Sequence, residues 1–231
     1  MVGWGLSLEV PDFEKYVTDY WATAYGLGGC GSANEGEVKK DNINTYRICK
    51  DGIWQVASYK DKYCLENECK YFTDTCDKQR YAYVVIGEQT WMAENLNYNA
   101  EGSECYYNDP AKCDIYGRFY NWETAKTVCP SGWHLPSREE WDVLGSDARK
   151  LKATSFGGTD EFGFSALPGG YGYSDGSFGN VGNYGYWWSA SEYEFSSNSA
   201  YYRYMGYNYD EGAYWSSYNK SSLLSVRCLQ D

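Results

Sequence analysis

The chain has a single histidine, His134, and no C-x-x-C pair among its nine cysteines. Zinc therefore lacks a ligand set of the usual spacing. No apolar run comes near the ~18 to 20 residues that span a bilayer, so membrane insertion is not expected. Basic residues are scarce too: 20 Lys and Arg stand against 32 Asp and Glu, a formal net charge of -12. That excess repels phosphate backbones and anionic lipid surfaces, and nucleic acid is not an expected partner. No G-x-S-x-G elbow accompanies His134, so nothing places a nucleophile beside a base, and no enzyme is expected. A carboxylate pair for glycoside cleavage is a matter of three-dimensional spacing and stays open at this level. Residues 1–10, MVGWGLSLEV, lack the basic start and apolar run of an export signal, which leads us to expect a mature or shortened chain.

What is present is cysteine spread along the chain, at 30, 49, 64, 69, 76, 105, 113, 129 and 228, and tyrosine, 26 residues of 231. Such spacing suits disulfides and hence an oxidising compartment. The texture divides the chain into residues 1–29, an amphipathic helical segment; 30–59, a small β-hairpin module; 60–80, a cysteine-rich linker; and 81–231, one large domain. In the first segment Phe13, Tyr16, Val17, Tyr20, Trp21 and Ala24 follow helical spacing after a capping Asp12. This stripe is either core for its own domain or a docking helix for another subunit. In the second, YRICK and IWQVAS flank Lys50-Asp51-Gly52. Cys30 and Cys49 would staple a module too short to hold a core. Of Cys64, Cys69 and Cys76 one is left over, and the sequence does not say which.

From residue 81, YAYVVIG reads as an opening strand and 116–128 as a helix. A second helix opens at the capping box Ser137-x-x-Glu140. After about 155 glycine-punctuated loops take over, with short strands expected at WWSAS, YYRYM and SVRCL. The self-contained run CYYNDPAKC predicts a Cys105–Cys113 disulfide.

The motifs IGEQTWMAENLNY, CPSGWHLPSREEW, FGFSALPGGY and YGYWWSASE, with the terminal SVRCLQD, closely resemble the Fibrobacter succinogenes major paralogous domain over about 81–231. The resemblance implies an α+β, C-type lectin-like fold with two helices, small twisted antiparallel sheets and long loops, in a secreted or surface-attached bacterial protein. It also implies a cystine between the first helix region and the last strand, where Cys129 and Cys228 stand. GWHLPSREEW and FGFSALPGG also look like the formylglycine-generating enzymes. The chain has no cysteine between 129 and 228, so that copper-thiolate chemistry does not carry over. The E-P-N, Q-P-D and W-N-D calcium motifs of animal C-type lectins are absent as well.

Tyrosine crowds residues 171–218, interleaved with Ser, Asn and Gly, the mixture found in antibody paratopes. Tyr202, Tyr204, Tyr207, Tyr209, Tyr214 and Trp215 are the candidate ligand-binding residues, Trp215 as a loop-borne stacking ring. The competing reading makes alternate tyrosines of YYRYMGYNY inward-facing strand residues. Of the adjacent Trp187 and Trp188 one is expected in the core, as are Trp133 and Trp141. No cofactor is expected. Asp109, Asp114, Asp160, Glu161, Asp175, Asp210 and Glu211 carry the hard oxygen atoms that calcium takes as ligands, but none follows the EF-hand pattern, and solvated loop charge is the simpler account. The expected function is recognition of an extracellular glycan or protein ligand through the Tyr- and Trp-rich loops. The alternative is a subunit of a surface fibre that self-associates through the N-terminal helix.

Overall fold

A computed structural model describes residues 26–33, 37–40, 46–50, 53–56, 70–207 and 212–231. The helix expected before Gly26, together with Cys64, Cys69 and Tyr209, lies outside the described residues. The chain divides into two compact units, Met1–Glu68 and Cys69–Asp231.

In the first unit strands β1 (Val38–Lys40), β2 (Tyr46–Lys50) and β3 (Ile53–Val56) form an antiparallel sheet in the order β1-β2-β3. The expected hairpin is β2–β3, with Lys50 opposite Ile53, and β1 adds a third strand. Cys30 is bonded to Cys49. So few residues enclose little apolar surface: Leu27, Ile48 and Cys49 are the buried hydrophobics described. The cross-link supplies what that core cannot. The Trp54 indole N–H donates to the Gly28 carbonyl at 2.9 Å.

The second unit opens earlier than expected. Strand β4 (Lys70–Thr73), in the segment read as linker, pairs with β5 (Arg80–Ile86) and so belongs to the domain. The first five-stranded sheet runs β4-β5-β6-β15-β8, with β6 at Gln89–Met92, β8 at Trp133–His134 and β15 at Leu229–Gln230. All its pairings are antiparallel. The second runs β13-β12-β11-β14-β7, with β11 at Tyr184–Glu192, β12 at Ser199–Gly206 and β13 at Tyr214–Asn219. Strands β14 (Leu224–Ser225) and β7 (Phe119–Tyr120) complete it. A hairpin of β9 (Tyr171–Gly172) and β10 (Phe178–Gly179) stands beside it. Helices are few and short: α1 (Pro110–Tyr116), α2 (Trp122–Ala125), α3 (Arg138–Asp142) and α4 (Ala148–Leu151). The fold is thus α+β, dominated by antiparallel sheet. Among the described residues no helix is long and apolar enough to cross a membrane.

Of the single helix expected over 116–128 only the four residues of α2 form, because α1 ends at Tyr116 and a strand follows. Gly117 sits at φ 74°, and a Cβ there would stand 2.8 Å from the Leu96 carbonyl oxygen, so the chain turns where only glycine fits. Phe119 and Tyr120 then pair with Ser225 and Leu224. The Asn121 side chain, accepting from the Thr124 N–H at 3.0 Å, starts α2 afresh. The capping box forms in both directions: Glu140 N–H donates to Ser137 Oγ at 3.2 Å and Ser137 N–H to Glu140 Oε2 at 2.7 Å.

Three hydrophobic clusters fill the unit, and Trp187 and Trp188 enter one each of the two larger. Both are wholly buried, so both are core, where one was expected. Adjacent strand residues face opposite sides, and around these two residues both sides of the sheet are covered. Trp187 packs with Trp141, Phe164 and Met205, and its indole N–H donates to Asn95 Oδ1 at 2.7 Å. Trp188 packs with Trp122, Leu224 and Val226 and donates to the Tyr120 carbonyl at 2.8 Å. Trp141 is buried as expected, whereas Trp133 is half-buried and stacks on Phe72, centroids 4.4 Å apart.

Disulfides Cys129–Cys228 and Cys105–Cys113 are formed, and Cys76 is exposed and free.

Candidate functional site

Strand side chains alternate between faces, and register across strands decides which of them meet. Tyr186 lies opposite Tyr204, and Tyr204 opposite Tyr214, so one row of rings crosses β11, β12 and β13. Two residues along, Trp188, Tyr202 and Ser216 form the next row on the same face. Tyr184 and Tyr218 extend the face, and Tyr171 and Tyr173 join it from the β9–β10 hairpin.

The rings form one continuous network. Centroids are 5.9 Å apart for Tyr184–Tyr186, 6.1 Å for Tyr186–Tyr204 and 5.6 Å for Tyr204–Tyr214, with interplanar angles of 29°, 26° and 34°. Across this near-parallel row, Tyr202 stands 5.7 Å from Tyr186 and 6.0 Å from Tyr218. Tyr171 is edge-on to both Tyr186 and Tyr218, at 5.3 and 5.9 Å. Aromatic pairs at such distances favour tilted and edge contacts, each worth about 0.5–1.5 kcal/mol beyond area burial. The network is therefore a stiff surface. Tyr214 and Tyr173 are exposed, at 41% and 39%, and the other rings are half-buried, so the face is wet along its length and anchored beneath by Trp188.

Hydrogen bonds link several of its hydroxyls. Tyr171 and Tyr173 oxygens are 2.7 Å apart, and Tyr173 also bonds Tyr218. The hydrogen bond to Tyr173 pushes Tyr171 up to about 12, while the bonds from Tyr171 and Tyr218 lower Tyr173. Burial, then the bond to Tyr173, raises Tyr218. Asn180 Nδ2 donates to the Tyr186 hydroxyl at 2.8 Å, while burial drives that phenol up to about 12. All these phenols but Tyr173 thus hold their protons above the ordinary range. They offer O–H donors and lone pairs to a polar ligand.

Of the residues singled out from sequence, Tyr202, Tyr204 and Tyr214 come together here. Tyr207 lies just past β12 with its ring 6.5 Å from Phe156, off the network. Trp215 lies within β13, not in a loop, and on the opposite face. Its indole N–H donates to Asp142 Oδ1 at 2.8 Å, and the Arg203 guanidinium sits 4.9 Å above its ring. It is half-buried against the Trp187 cluster and is a packing residue. Tyr171, Tyr173, Tyr184, Tyr186 and Tyr218 join the same ring network, and the composition of the run does not separate them from its other tyrosines. The readable signal was the paired Y-x-Y spacing of 184/186 and 202/204. The alternation puts Tyr202 and Tyr204 on the tyrosine-lined face, while Tyr201 on the other face is buried and Tyr202 also packs against the Trp188 cluster, so part of the run is inward-packed.

Elsewhere, among the described residues, no three His, Cys, Asp or Glu side chains gather as a metal site. Asp160 is buried and accepts from Ser165 N–H and Oγ at 2.7 and 2.6 Å. Asp109 and Asp175 accept from Ala111 and Ser177. His134 lies between two carboxylates, Nδ1 2.7 Å from Asp231 and Nε2 3.1 Å from Glu140. Burial pulls its basicity down, but the hydrogen bonds and charges of Asp231 and Glu140 outweigh this and leave it raised. A raised folded value means the native state holds the proton more tightly. The stabilisation is complete below the unfolded value of about 6.5 and is lost as pH rises through the folded one. We expect unfolding free energy to fall above pH ~6.5 by no more than about 1 kcal/mol, since the pair is open to solvent. In His134→Gln this slope should vanish. Urea titrations across that range check it, and an unchanged slope in the variant would refute the assignment.

Residues 84–230 match the family model described as the Fibrobacter succinogenes major domain. No curated protein and no solved structure matches the chain.

Proposed function

The chain belongs to the Fibrobacter succinogenes major domain family, its match covering more than half of its length, and from that premise we propose that the domain is a secreted or surface-exposed binding module. Its ligand is carbohydrate, held on the tyrosine face. The observation that carries this reading is the unbroken half-exposed network from Tyr214 through Tyr204 and Tyr186 to Tyr171. Phenol rings supply apolar area at little conformational cost and a hydroxyl at the tip, matching a ligand that has both C–H faces and hydroxyls. The disulfides favour an oxidising location. Within the reading we place a C-type lectin-like arrangement, supported by Cys129–Cys228 tying the segment after α2 to the last strand.

Tyr204→Ala and Tyr214→Ala are expected to weaken retention on a panel of insoluble polysaccharides. Each should lose about thirtyfold in affinity, the equivalent of a 2 kcal/mol anchor. The melting temperature of the exposed Tyr214 variant should stay nearly unchanged. Trp215→Ala should do the reverse, losing about 2 kcal/mol or more of stability with little change in retention by the folded fraction. Affinity electrophoresis and thermal melts together check this, and full retention by both tyrosine variants would refute the face as the binding surface.

A further inference from the structure

A polar cleft of about 380 Å³ lies apart from the tyrosine rows, lined by Gln79, Asn97, Asn99, Glu104, Asn108 and Arg118 among others. Its volume falls near the lower end of the ~300–1,000 Å³ typical of ligand pockets, enough for a small molecule. The walls are amides, carboxylates and a guanidinium, with Pro110 and the Cys105–Cys113 disulfide as the scant apolar part. An aromatic or lipid ligand would find no surface to match.

The cleft is built rather than incidental. Arg118 spans its floor: Nε donates to Ser103 Oγ at 2.8 Å, Nη2 to Asn99 Oδ1 at 2.6 Å, and Nη1 faces the Cys105 and Cys113 sulfurs at 3.3 and 3.6 Å. Those acceptors are neutral, and sulfur is a weak one, so Nη1 keeps donor capacity. Gln79 Nε2 is fixed by Asp77 Oδ2 at 2.8 Å and the Asn97 carbonyl at 3.2 Å. Asn97 Oδ1 is buried without a hydrogen-bond partner. Buried amide oxygens are rarely left so, and each instance calls for an explanation. Tyr107 and Asn108 both take φ above +50°, an unusual backbone for two successive non-glycine residues. The disulfide and the Asn108 N–H bond to the Cys105 carbonyl, at 2.9 Å, hold them there. Strain of this kind gathers at ligand clamps.

We infer that this cleft is a second binding site, for a small neutral polyol such as a single pyranose ring. Each hydroxyl of such a ligand both donates and accepts, which suits walls that alternate amide N–H, amide C=O and carboxylate oxygen. Arg118 Nη1 donates to one hydroxyl, and the side-chain amide of Asn97 on the cleft wall pairs with another. A free anion is disfavoured, because Glu104 and Asp114 share the lining and the chain carries -12.

The test is an amide-resolved NMR titration of the full chain with D-glucose, D-galactose, D-mannose and, as the anionic probe, D-glucuronate. The expected result is that at least one neutral sugar shifts the Gln79, Asn97 and Asn99 side-chain amides saturably. Asn97→Leu should weaken this about tenfold or more, the loss of one good hydrogen bond. Gln79→Ala, a milder change, should weaken it as well, and serves if the leucine variant folds poorly. Tyr204→Ala should leave these shifts unaltered, which separates this site from the tyrosine face. The inference is overturned if the neutral sugars leave those amides unmoved at concentrations that saturate a millimolar site. It is likewise overturned if glucuronate alone moves them, or if both cleft variants respond as the parent does.

Discussion

Arg227→Ala is expected to remove about 3 to 5 kcal/mol of folding stability, more than any surface substitution in this chain. Arg227 is wholly buried, and its guanidinium lies 4.4 Å over the Phe164 ring. Nε and Nη2 donate to Asn95 Oδ1 at 3.2 and 2.8 Å, and Nη1 to the Met92 carbonyl at 3.2 Å and to the Phe164 carbonyl. Asn95 in turn accepts from the Trp187 indole and donates to the Tyr116 carbonyl at 2.8 Å. One guanidinium thus ties β6, the loop after it, the Phe164 segment and the chain before β15 to a single point. Burial pushes Arg227 down to about 9, opposed by the charges of Glu94 and Asp160, so it is still charged at neutral pH. Its charge is solvated by carbonyl dipoles in place of water. Alanine takes this donor from the Met92 and Phe164 carbonyls and two of its three donors from Asn95 Oδ1, and it leaves a cavity over the Phe164 ring. Arg227→Lys keeps the charge, but an ammonium cannot offer the planar fork to Asn95, and an intermediate loss is expected. Exposed Arg149→Ala should stay within about 0.5 kcal/mol. Urea midpoints at constant slope measure all three, and a loss under about 1 kcal/mol for Arg227→Ala would show that the network holds without its cation.

The second large effect belongs to Cys129–Cys228. The two are 99 residues apart in sequence, and a loop of that size restricts the unfolded chain by roughly 4 to 5 kcal/mol of entropy. Cys105–Cys113, with a separation of 8, is worth only about 2.5 kcal/mol on the same scale. Replacing both members of each pair by alanine should reproduce that order. The small-loop variant should stay folded, and the large-loop variant should unfold at much lower denaturant. Cys228 is itself fully buried among Val226, Leu135 and Leu96, so its packing adds to the difference. Equal losses from the two variants would mean that native-state strain, not chain entropy, dominates.

Local chemistry was readable where it is decided by near neighbours. The capping box at Ser137 and Glu140, the strands at YAYVVIG, WWSAS and YYRYM, and the Cys105–Cys113 and Cys30–Cys49 pairs all follow from residues close in sequence. The apolar rhythm of 116–128 misled for an equally definite reason. Phe119 and Tyr120 satisfy strand pairing with residues 224 and 225 as well as they would satisfy a helix face, and the choice lies with a partner about a hundred residues away.

By itself the sequence determined an acidic, disulfide-linked α+β domain, its family, and a late run of tyrosine set among strands. Only the tertiary structure decided which tyrosines share a face. Composition puts Tyr204, Tyr207 and Trp215 in one class. The antiparallel register of β11, β12 and β13 sends Tyr204 to the open face with Tyr186 and Tyr214, leaves Tyr207 past the strand end, and turns Trp215 toward Asp142. The physical reason is the two-residue period of a strand: a shift of one position exchanges the faces, and nothing within a single strand says which face its neighbours leave uncovered.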